Sequence, residues 1–306
     1  MTIISTSTSA FYERSLMGIK DLRAQAETLQ ASLATGQRLQ RSSDDPVAAA
    51  RMRQLSRADT LSTIDLANAR RATTDLQLTD SALNSFASYV TRAKELAIQA
   101  STGTLTASQR AGIGVEIAGI RQNLVALANS RDSAGHALFG GETAGNAYTT
   151  DAAGNATYAG TASSGDLPLG EGQSVTRGLT GPEFLNFTVN GTPGDLLATL
   201  KALGDALQGG VADPQAAAHS SLDALDASMD RLTTAQTVVG SRMAWIDLTT
   251  ERATDLGEMR ADEETNVGGT DMAATVAKLQ QAMTVLEASQ ASFAKLAQLS
   301  LFDVIR

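Results

Sequence analysis

The chain has no cysteine among its 306 residues. That excludes disulfide staples, thiolate zinc sites and a cysteine nucleophile. It leaves the compartment open, because an exported chain can simply do without thiols. Aromatic residues are scarce, at 4% with a single Trp, so a thick globular core of bulky side chains is not the expected architecture. Ala, Ser, Thr, Leu and Gln dominate instead, and these suit long helices packed closely through small side chains. Positive charge is in deficit. A formal net charge of −9 argues against nucleic acid, whose phosphates demand clustered Lys and Arg, and it fits poorly to an anionic membrane surface. No apolar run approaches the ~20 residues of a membrane span. Residues 1–20 carry neither a basic leader nor the continuous apolar stretch of a signal peptide; if the chain is exported, another route is required.

The residues that usually carry chemistry are also thin. There are two histidines, His136 and His219. Neither has a partner at metal-ligand spacing, and isolated histidines of this kind are usually structural or surface groups. Gly140-Gly141 and Gly209-Gly210 lack the Lys-Ser/Thr of a phosphate loop and the strand-to-helix setting of a dinucleotide site. Asp44 and Asp45 stand together ahead of Pro46. They read as a helix cap and bend, with a general acid–base pair as the competing reading. No catalytic residue, cofactor or metal is expected, and the chain is expected not to be an enzyme.

What the chain does have is periodicity. Asp271–Phe302 contains neither Gly nor Pro. Val276, Leu279, Met283, Leu286, Phe293 and Ala297 fall at alternating steps of three and four, with Gln290 as the polar interruption. That pattern lines one narrow face of a helix, roughly 48 Å long. The other end of the chain repeats it from Phe11 through Tyr12, Leu16, Ile19, Leu22, Ala26, Leu29 and Leu33, until Gly36 ends or bends the helix. Residues 1–10 are Ser/Thr-rich, with isolated Ile3 and Ile4. From Val47 to Thr102 there is again no Gly or Pro, which allows a single helix of roughly 84 Å with a seam of Leu76, Leu83, Phe86, Val90 and Ala97. Gly103 stops it. Thr106 or Ser108 can cap a following helix bearing Ile113, Ile117, Ile120, Leu124 and Leu127, which closes a helix hairpin.

At Gly135 the texture changes. Turn chemistry such as Asp151-Ala152-Ala153-Gly154-Asn155 and Asn190-Gly191 separates short alternating runs around Tyr148, Tyr158, Val175 and Phe187-Thr188-Val189. Helix resumes with Leu196, Leu197, Leu200, Leu203 and Leu207. After Asp213-Pro214 a long helix carries Leu222, Leu225, Met229, Leu232, Gln236, Val239, Met243 and Ile246. It is expected to run to about Arg260, with Asp262–Thr270 as a connector into the terminal helix. The fold expected is mainly α: a long helical bundle with coiled-coil pairing of the N- and C-terminal segments, and a small β-rich inserted domain. The domains expected are a terminal helical one from residues 1–40 and 270–306, a long-helix bundle from 41–138 and 192–269, and a β-rich outer insert at 139–191.

Two charge clusters face a choice. Arg38, Arg41, Arg51, Arg53 and Arg57 lie near the first bend, and Asp255, Glu258, Asp262, Glu263 and Glu264 lie at the matching place on the return path. Either they are ordinary solvated faces, or they face each other within or between subunits. The terminal helices are expected to be poorly ordered in the free monomer, because two thin seams bury too little to offset conformational entropy.

Leu33-Ala34-Thr35-Gly36-Gln37-Arg38-Leu39-Gln40-Arg41-Ser42-Ser43-Asp44-Asp45-Pro46-Val47-Ala48-Ala49-Ala50 resembles the N-terminal region of the bacterial flagellin family. Within that family the Asp-Asp-Pro-Val-Ala continuation is similar to the members at the hook–filament junction, as is the ending Leu299-Ser300-Leu301-Phe302-Asp303. The resemblance covers about residues 1–140 and 190–306; the short insert departs from members with elaborate outer domains. It implies a structural subunit of the extracellular flagellum that forms the junction between hook and filament, with filament flagellin as the alternative and a flagellin-like surface adhesin or enzyme as a remoter one. It further implies type III export without a cleaved signal peptide, self-association into a ring or tube, a neighbouring hook-associated protein and flagellin as partners, and a cytoplasmic export chaperone at the C-terminal region. By residue matching it places Leu22, Leu29, Leu33, Leu279, Met283, Leu286 and Phe293 in tube-forming segments and Asp44, Asp45 and Pro46 at the inter-domain bend. With the neighbouring seam positions Leu16, Ile19, Val276 and Leu296, these form the expected assembly interface.

Overall fold

The computed structural model describes the backbone of residues 3–132 and 134–304, and the side chains of residue 10 and of residues 12–132 and 134–295. The elements in order are α1 (Ile3–Thr35), α2 (Pro46–Ala100), α3 (Ala107–Ala128), β1 (Tyr148–Thr150), β2 (Ala156–Tyr158), β3 (Asp166–Gly170), β4 (Gln173–Thr176), α4 (Gly181–Leu185), β5 (Asn186–Val189), β6 (Thr192–Asp195), α5 (Leu196–Asp205) with a wider final turn at Ala206–Gly210, α6 (Pro214–Gly268) and α7 (Met272–Val304). The fold is mainly α, with paired terminal helices and small β hairpins in the middle of the chain.

The chain divides into two compact units, one of residues 1–60 and 256–306, the other of residues 61–255. In the second unit the seams read from the sequence are largely used, although Leu127 of α3 and Leu222, Met229 and Met243 of α6 are only half-buried. Leu76, Leu83, Phe86, Val90 and Ala97 of α2, Ile117 and Leu124 of α3, Leu196, Leu197 and Leu200 of α5, and Leu225, Leu232 and Val239 of α6 have no solvent exposure. Antiparallel α2 and α6 are cross-linked at matching heights by the Gln236–Asn84 hydrogen bond (2.9 Å) and the Lys94–Asp226 ion pair. Arg92 reaches Glu116 across the α2–α3 hairpin at 2.7 Å. Thr106 caps α3 in a reciprocal box with Gln109. Close approach of α3 to α5 requires Gly114, since a Cβ there would sit 2.9 Å from the Gly204 carbonyl.

Among the described residues the strands form three separate antiparallel pairs, β1–β2, β3–β4 and β5–β6. Tyr148 opposes Tyr158, and Leu167 opposes Val175. The turn residues behave as their chemistry dictates: Asn190 and Gly191 both take positive φ between β5 and β6. Two-stranded pairs are marginal by themselves, and here helices hold them through side chains that reach strand and turn backbone. Arg121 of α3 donates to the turn carbonyl of Gly154 and also to that of Leu197 at the start of α5, Asn68 of α2 donates to that of Pro168, and from α6 Arg231 reaches Asn186 and Arg242 reaches Gly178. Arg177, after β4, lies 3.4 Å from Asp75 of α2 and 3.0 Å from Asp132, two nearly buried carboxylates. Burial pushes the Asp75 carboxyl above its ordinary value, against the pull of Arg177. Phe86, Phe139 and Phe184 meet in a buried aromatic cluster, with centroids 4.8 to 6.0 Å apart, which brings α2, the segment after α3 and α4 together.

Three details differ from the sequence reading. Helix α6 does not stop near Arg260: it continues through the acidic stretch to Gly268, leaving only residues 269–271 as connector. Acidic side chains on a solvated helix face cost little, and Glu263 gains a partner there. Helix α1 starts at Ile3, inside the Ser/Thr-rich stretch. The strands β3 and β6 and the short helix α4 carried no sequence signal, because Pro168, Pro193 and Gly194 have poor β propensity and α4 is a single turn.

Replacing Phe86 with Ala removes the centre of the aromatic cluster. Urea or thermal denaturation is expected to show a loss of about 3–5 kcal/mol; a loss below about 1 kcal/mol would mean that the cluster does not hold these segments together.

Candidate assembly site

The first unit contains the residues expected to assemble and those expected to bend the chain. At its centre the outgoing and returning chains cross. Gly36, at φ +70, ends α1 in a conformation that disfavours a side chain. The Arg38 amide donates to the Gly268 carbonyl at 2.8 Å and the Thr270 amide to the Gly36 carbonyl at 2.9 Å, so Gln37 and Gly269 form an isolated antiparallel bridge. Position 269 must be glycine, because a Cβ would lie 2.3 Å from the Thr265 carbonyl.

Asp44 and Asp45 are turn and cap. Asp44 accepts from the amides of Gln40 (3.2 Å) and Arg41 (2.8 Å), and Asp45 accepts from the Ala48 amide (3.0 Å) with Pro46 opening α2. Asp213-Pro214 repeats the device at the start of α6, and Asp271 caps α7 through Ala274. The Arg38 guanidinium joins the Asp45 carboxylate at 3.2 Å and the Val267 carbonyl at 2.9 Å. Only part of the two charge clusters meets. Arg51 makes a paired contact with Glu263 at 2.5 and 2.7 Å, while Arg260 reaches back to Asp59 at 2.6 Å. The Ala48 amide, with Arg38 assisting, holds the Asp45 carboxyl below its ordinary value, and the Arg51 guanidinium does the same for Glu263. An open cleft of about 580 Å³ lies here, between the loop at Gln37–Ser42, Met52 and Arg53 of α2, and Thr265 of α6.

From the crossing, α1 and α7 run antiparallel, and near their far ends Tyr12 stands edge-on to Phe293 at 5.5 Å between centroids. Ile19, Leu22, Leu29 and Leu33 of α1 and Leu279, Leu286 and Phe293 of α7 are half-buried in this seam. Ala26, Ser32, Thr275 and Ala282 are its buried positions. Leu16, Val276 and Met283, expected in the same seam, are instead exposed, and Gln290 is exposed as well. The seam takes Ser15, Thr275, Ala282 and Ser289 in their stead, one residue earlier, because small side chains let the two helices approach. The pattern of apolar residues could not reveal this, since it gives small polar residues no weight. Leu296 lies outside the residues whose side chains are described. Among the described residues no three His, Cys, Asp or Glu side chains are placed to hold a metal ion, and no helix is long and apolar enough to cross a membrane. His136 lies 3.6 Å from Asp132, and His219 is exposed.

Half-buried seams protect less than the sealed core of the second unit. Hydrogen exchange on the free monomer is therefore expected to be fast over residues 12–33 and 272–295 and slow over residues 76–97; equal protection would contradict it. A carboxyl whose folded value lies below its ordinary one adds stability that is present above that ordinary value and is lost as pH falls through the depressed one. For Asp45 and Glu263 the ordinary values are 3.8 and 4.5. Protection of the Arg38 and Thr270 amides, corrected for intrinsic exchange, is therefore expected to fall below that range, and the fall is expected to shrink in the pair Asp45→Asn and Glu263→Gln. An unchanged fall in the double variant would exclude these two groups.

Comparison with known proteins shows what this chain is similar to. Residues 4–144 match the bacterial flagellin N-terminal helical region. Flagellar hook-associated protein 3 of Escherichia coli (strain K12) is 27% identical over 314 aligned residues, covering 97% of this chain and 98% of the relative. Among solved structures, a putative flagellar hook-associated protein from Vibrio parahaemolyticus superposes with a TM-score of 0.67 at 22% identity, over 74% of this chain and 100% of that one. The flagellar junction protein FlgL from Legionella pneumophila gives 0.59 at 13%, over 71% and 99%. Residues 4–144 are thus similar to the N-terminal helical region of the bacterial flagellins, and the chain resembles flagellar hook-associated protein 3 along nearly its whole length.

Proposed function

We propose that this chain is a structural subunit of the bacterial flagellum, forming the adaptor between hook and filament. The observation that carries the reading is its end-to-end match to hook-associated protein 3, with 97% of one chain aligned to 98% of the other; the likeness to the Legionella flagellar junction protein agrees with it. The architecture fits the mechanical task. Hook and filament are built from different subunits, so an intervening layer must match one lattice below and another above. Long helices with thin seams permit repeated contacts that differ slightly from copy to copy. The match of residues 4–144 to the flagellin N-terminal region keeps filament flagellin as a second reading.

The tube-forming surface is assigned to Leu16, Ile19, Leu22, Leu29, Leu33, Val276, Leu279, Met283, Leu286, Phe293 and Leu296, and the inter-domain bend to Asp44, Asp45 and Pro46. The domains proposed are the terminal one at 1–40 and 270–306, the bundle at 41–138 and 192–269, and the outer insert at 139–191. The subunit leaves the cell by type III export without a cleaved leader, is escorted by a cytoplasmic chaperone at its C-terminal region, and assembles next to a hook-associated protein and flagellin. Its work is structural, and no reaction is assigned to it.

Antibody labelling is expected to mark the base of each filament; label along the whole filament would favour the flagellin reading instead. Deleting residues 271–306 is expected to abolish export or assembly, leaving filaments detached or absent. Normal filaments in that strain would sink the proposal.

A further inference from the structure

The stretch from β3 to Gly178 is tied to α2 and α6 by side chains. Asn68 of α2 donates to the Pro168 carbonyl at 3.1 Å, Arg252 of α6 pairs with Glu171 at 3.0 Å, and Arg242 of α6 donates to the Gly178 carbonyl at 2.6 Å. Next to Gly178 stands Arg177. One nitrogen of its guanidinium serves two carboxylates, Asp132 at 3.0 Å and Asp75 at 3.4 Å. Both are nearly buried, with side chains 5% and 6% exposed, but they are not equally supported. The Asp132 carboxylate also accepts from the Ala134 and His136 amides at 2.9 and 2.8 Å. Among the described residues the Asp75 carboxyl receives the long Arg177 bond and no other. Arg71, one turn earlier on α2, is exposed and forms no ion pair with it. His136 lies 3.6 Å from Asp132, and the Arg242 guanidinium is engaged with Gly178.

We propose that Asp75 is a pH-sensitive clasp for this stretch: with its proton on, Arg177 pairs with Asp132 alone and the stretch is seated on α2, and when the proton leaves, a second buried charge without its own counterion loosens the seat. One positive charge then faces two negative ones where water is largely excluded. Neighbouring carboxylates in such a place oppose each other's ionisation, and a buried charge short of partners is costly. Burial raises the Asp75 carboxyl above its ordinary value, Arg177 pulls it down, and the Asp132 charge raises it further. A carboxyl raised in the folded chain adds stability that is complete below its ordinary value, 3.8 for Asp75, and is lost as pH rises through the raised one. Acid thus tightens this seat, whereas it weakens the contacts of Asp45 and Glu263 in the first unit. The stretch leads into α4, whose Phe184 belongs to the buried aromatic cluster, so the clasp acts at the edge of the core.

The Arg177 amide donates to the Gly165 carbonyl at 3.1 Å, so its hydrogen exchange reads the seat. In the whole chain its protection, corrected for intrinsic exchange, is expected to fall several-fold between about pH 4 and about pH 7. In Asp75→Asn, whose neutral amide stands in for the protonated acid, protection is expected to stay at the acid level and at about pH 7 to exceed that of the wild type. An equal fall in Asp75→Asn would overturn the proposal. So would weaker protection than the wild type at about pH 7, because the ionised pair would then be a net support. An imidazole also changes charge in this range, so His136→Gln is measured alongside. The fall is expected to persist there; a fall that vanishes in His136→Gln and persists in Asp75→Asn would assign the response to the histidine and overturn the clasp. The Asp75 carboxyl carbon resonance in the unsubstituted chain gives an independent reading that needs no variant. Its titration midpoint is expected above 3.8, and a midpoint at or below that value would overturn the proposal.

Discussion

Two backbone hydrogen bonds at the crossing of the chain's ends govern how the terminal helices meet. The Arg38 amide to Gly268 and the Thr270 amide to Gly36 fix both the antiparallel sense of α1 and α7 and their register. Tyr12 and Phe293 meet more than twenty residues away because no insertion interrupts either helix. Backbone bonds suit this task better than side-chain contacts, since seams with a seven-residue repeat are compatible with slippage by a heptad, whereas a bridged backbone is not. The glycine at 269 is the steric condition for the bridge, and Gly36 supplies the left-handed backbone that turns α1 out of it.

The two units solve the burial problem in different ways. In residues 61–255, four long or medium helices and the Phe86–Phe139–Phe184 cluster enclose side chains completely. In the unit of residues 1–60 and 256–306, the α1–α7 pair has only one inward face per helix, so its large apolar residues stay half-exposed and only small ones such as Ala26 and Ala282 are buried. Two helices cannot surround a core. A chain that left such a face on a monomer with no partner would risk indiscriminate association.

The β hairpins illustrate a third constraint. Among the described residues none of the three pairs extends beyond two strands, and such ribbons lack the cross-strand area to hold themselves. Arginines on the helices tie these ribbons down by donating to strand and loop carbonyls, Arg121 of α3 to Gly154, and Arg231 and Arg242 of α6 to Asn186 and Gly178. A guanidinium presents several donors on a long stem and keeps its charge under these conditions, so it can reach a backbone that a short side chain could not.

The sequence by itself determined the helix count in the bundle, most of the seams of α2, α3, α5 and α6, the caps at Asp45 and Asp213, the hairpin turns at Asp151–Asn155 and Asn190-Gly191, and the mainly α architecture, and it narrowed the cap of α3 to Thr106 or Ser108. These are local properties: propensity, period and capping act within a few residues, and the bundle is dense enough to bury most of the apolar positions that the period marks, with Leu127, Leu222, Met229 and Met243 half-buried at its margin. The tertiary structure alone decided which side of each terminal helix faces inward. Leu16, Val276 and Met283 fit the heptad as well as Ile19, Leu279 and Leu286 do, but close helix contact selects the small neighbours Ser15, Thr275 and Ala282 and turns the larger side chains outward. The extension of α6 to Gly268 and the partner of Arg51 were likewise settled across the fold, because both depend on residues that are neighbours in space and more than two hundred positions apart in the chain.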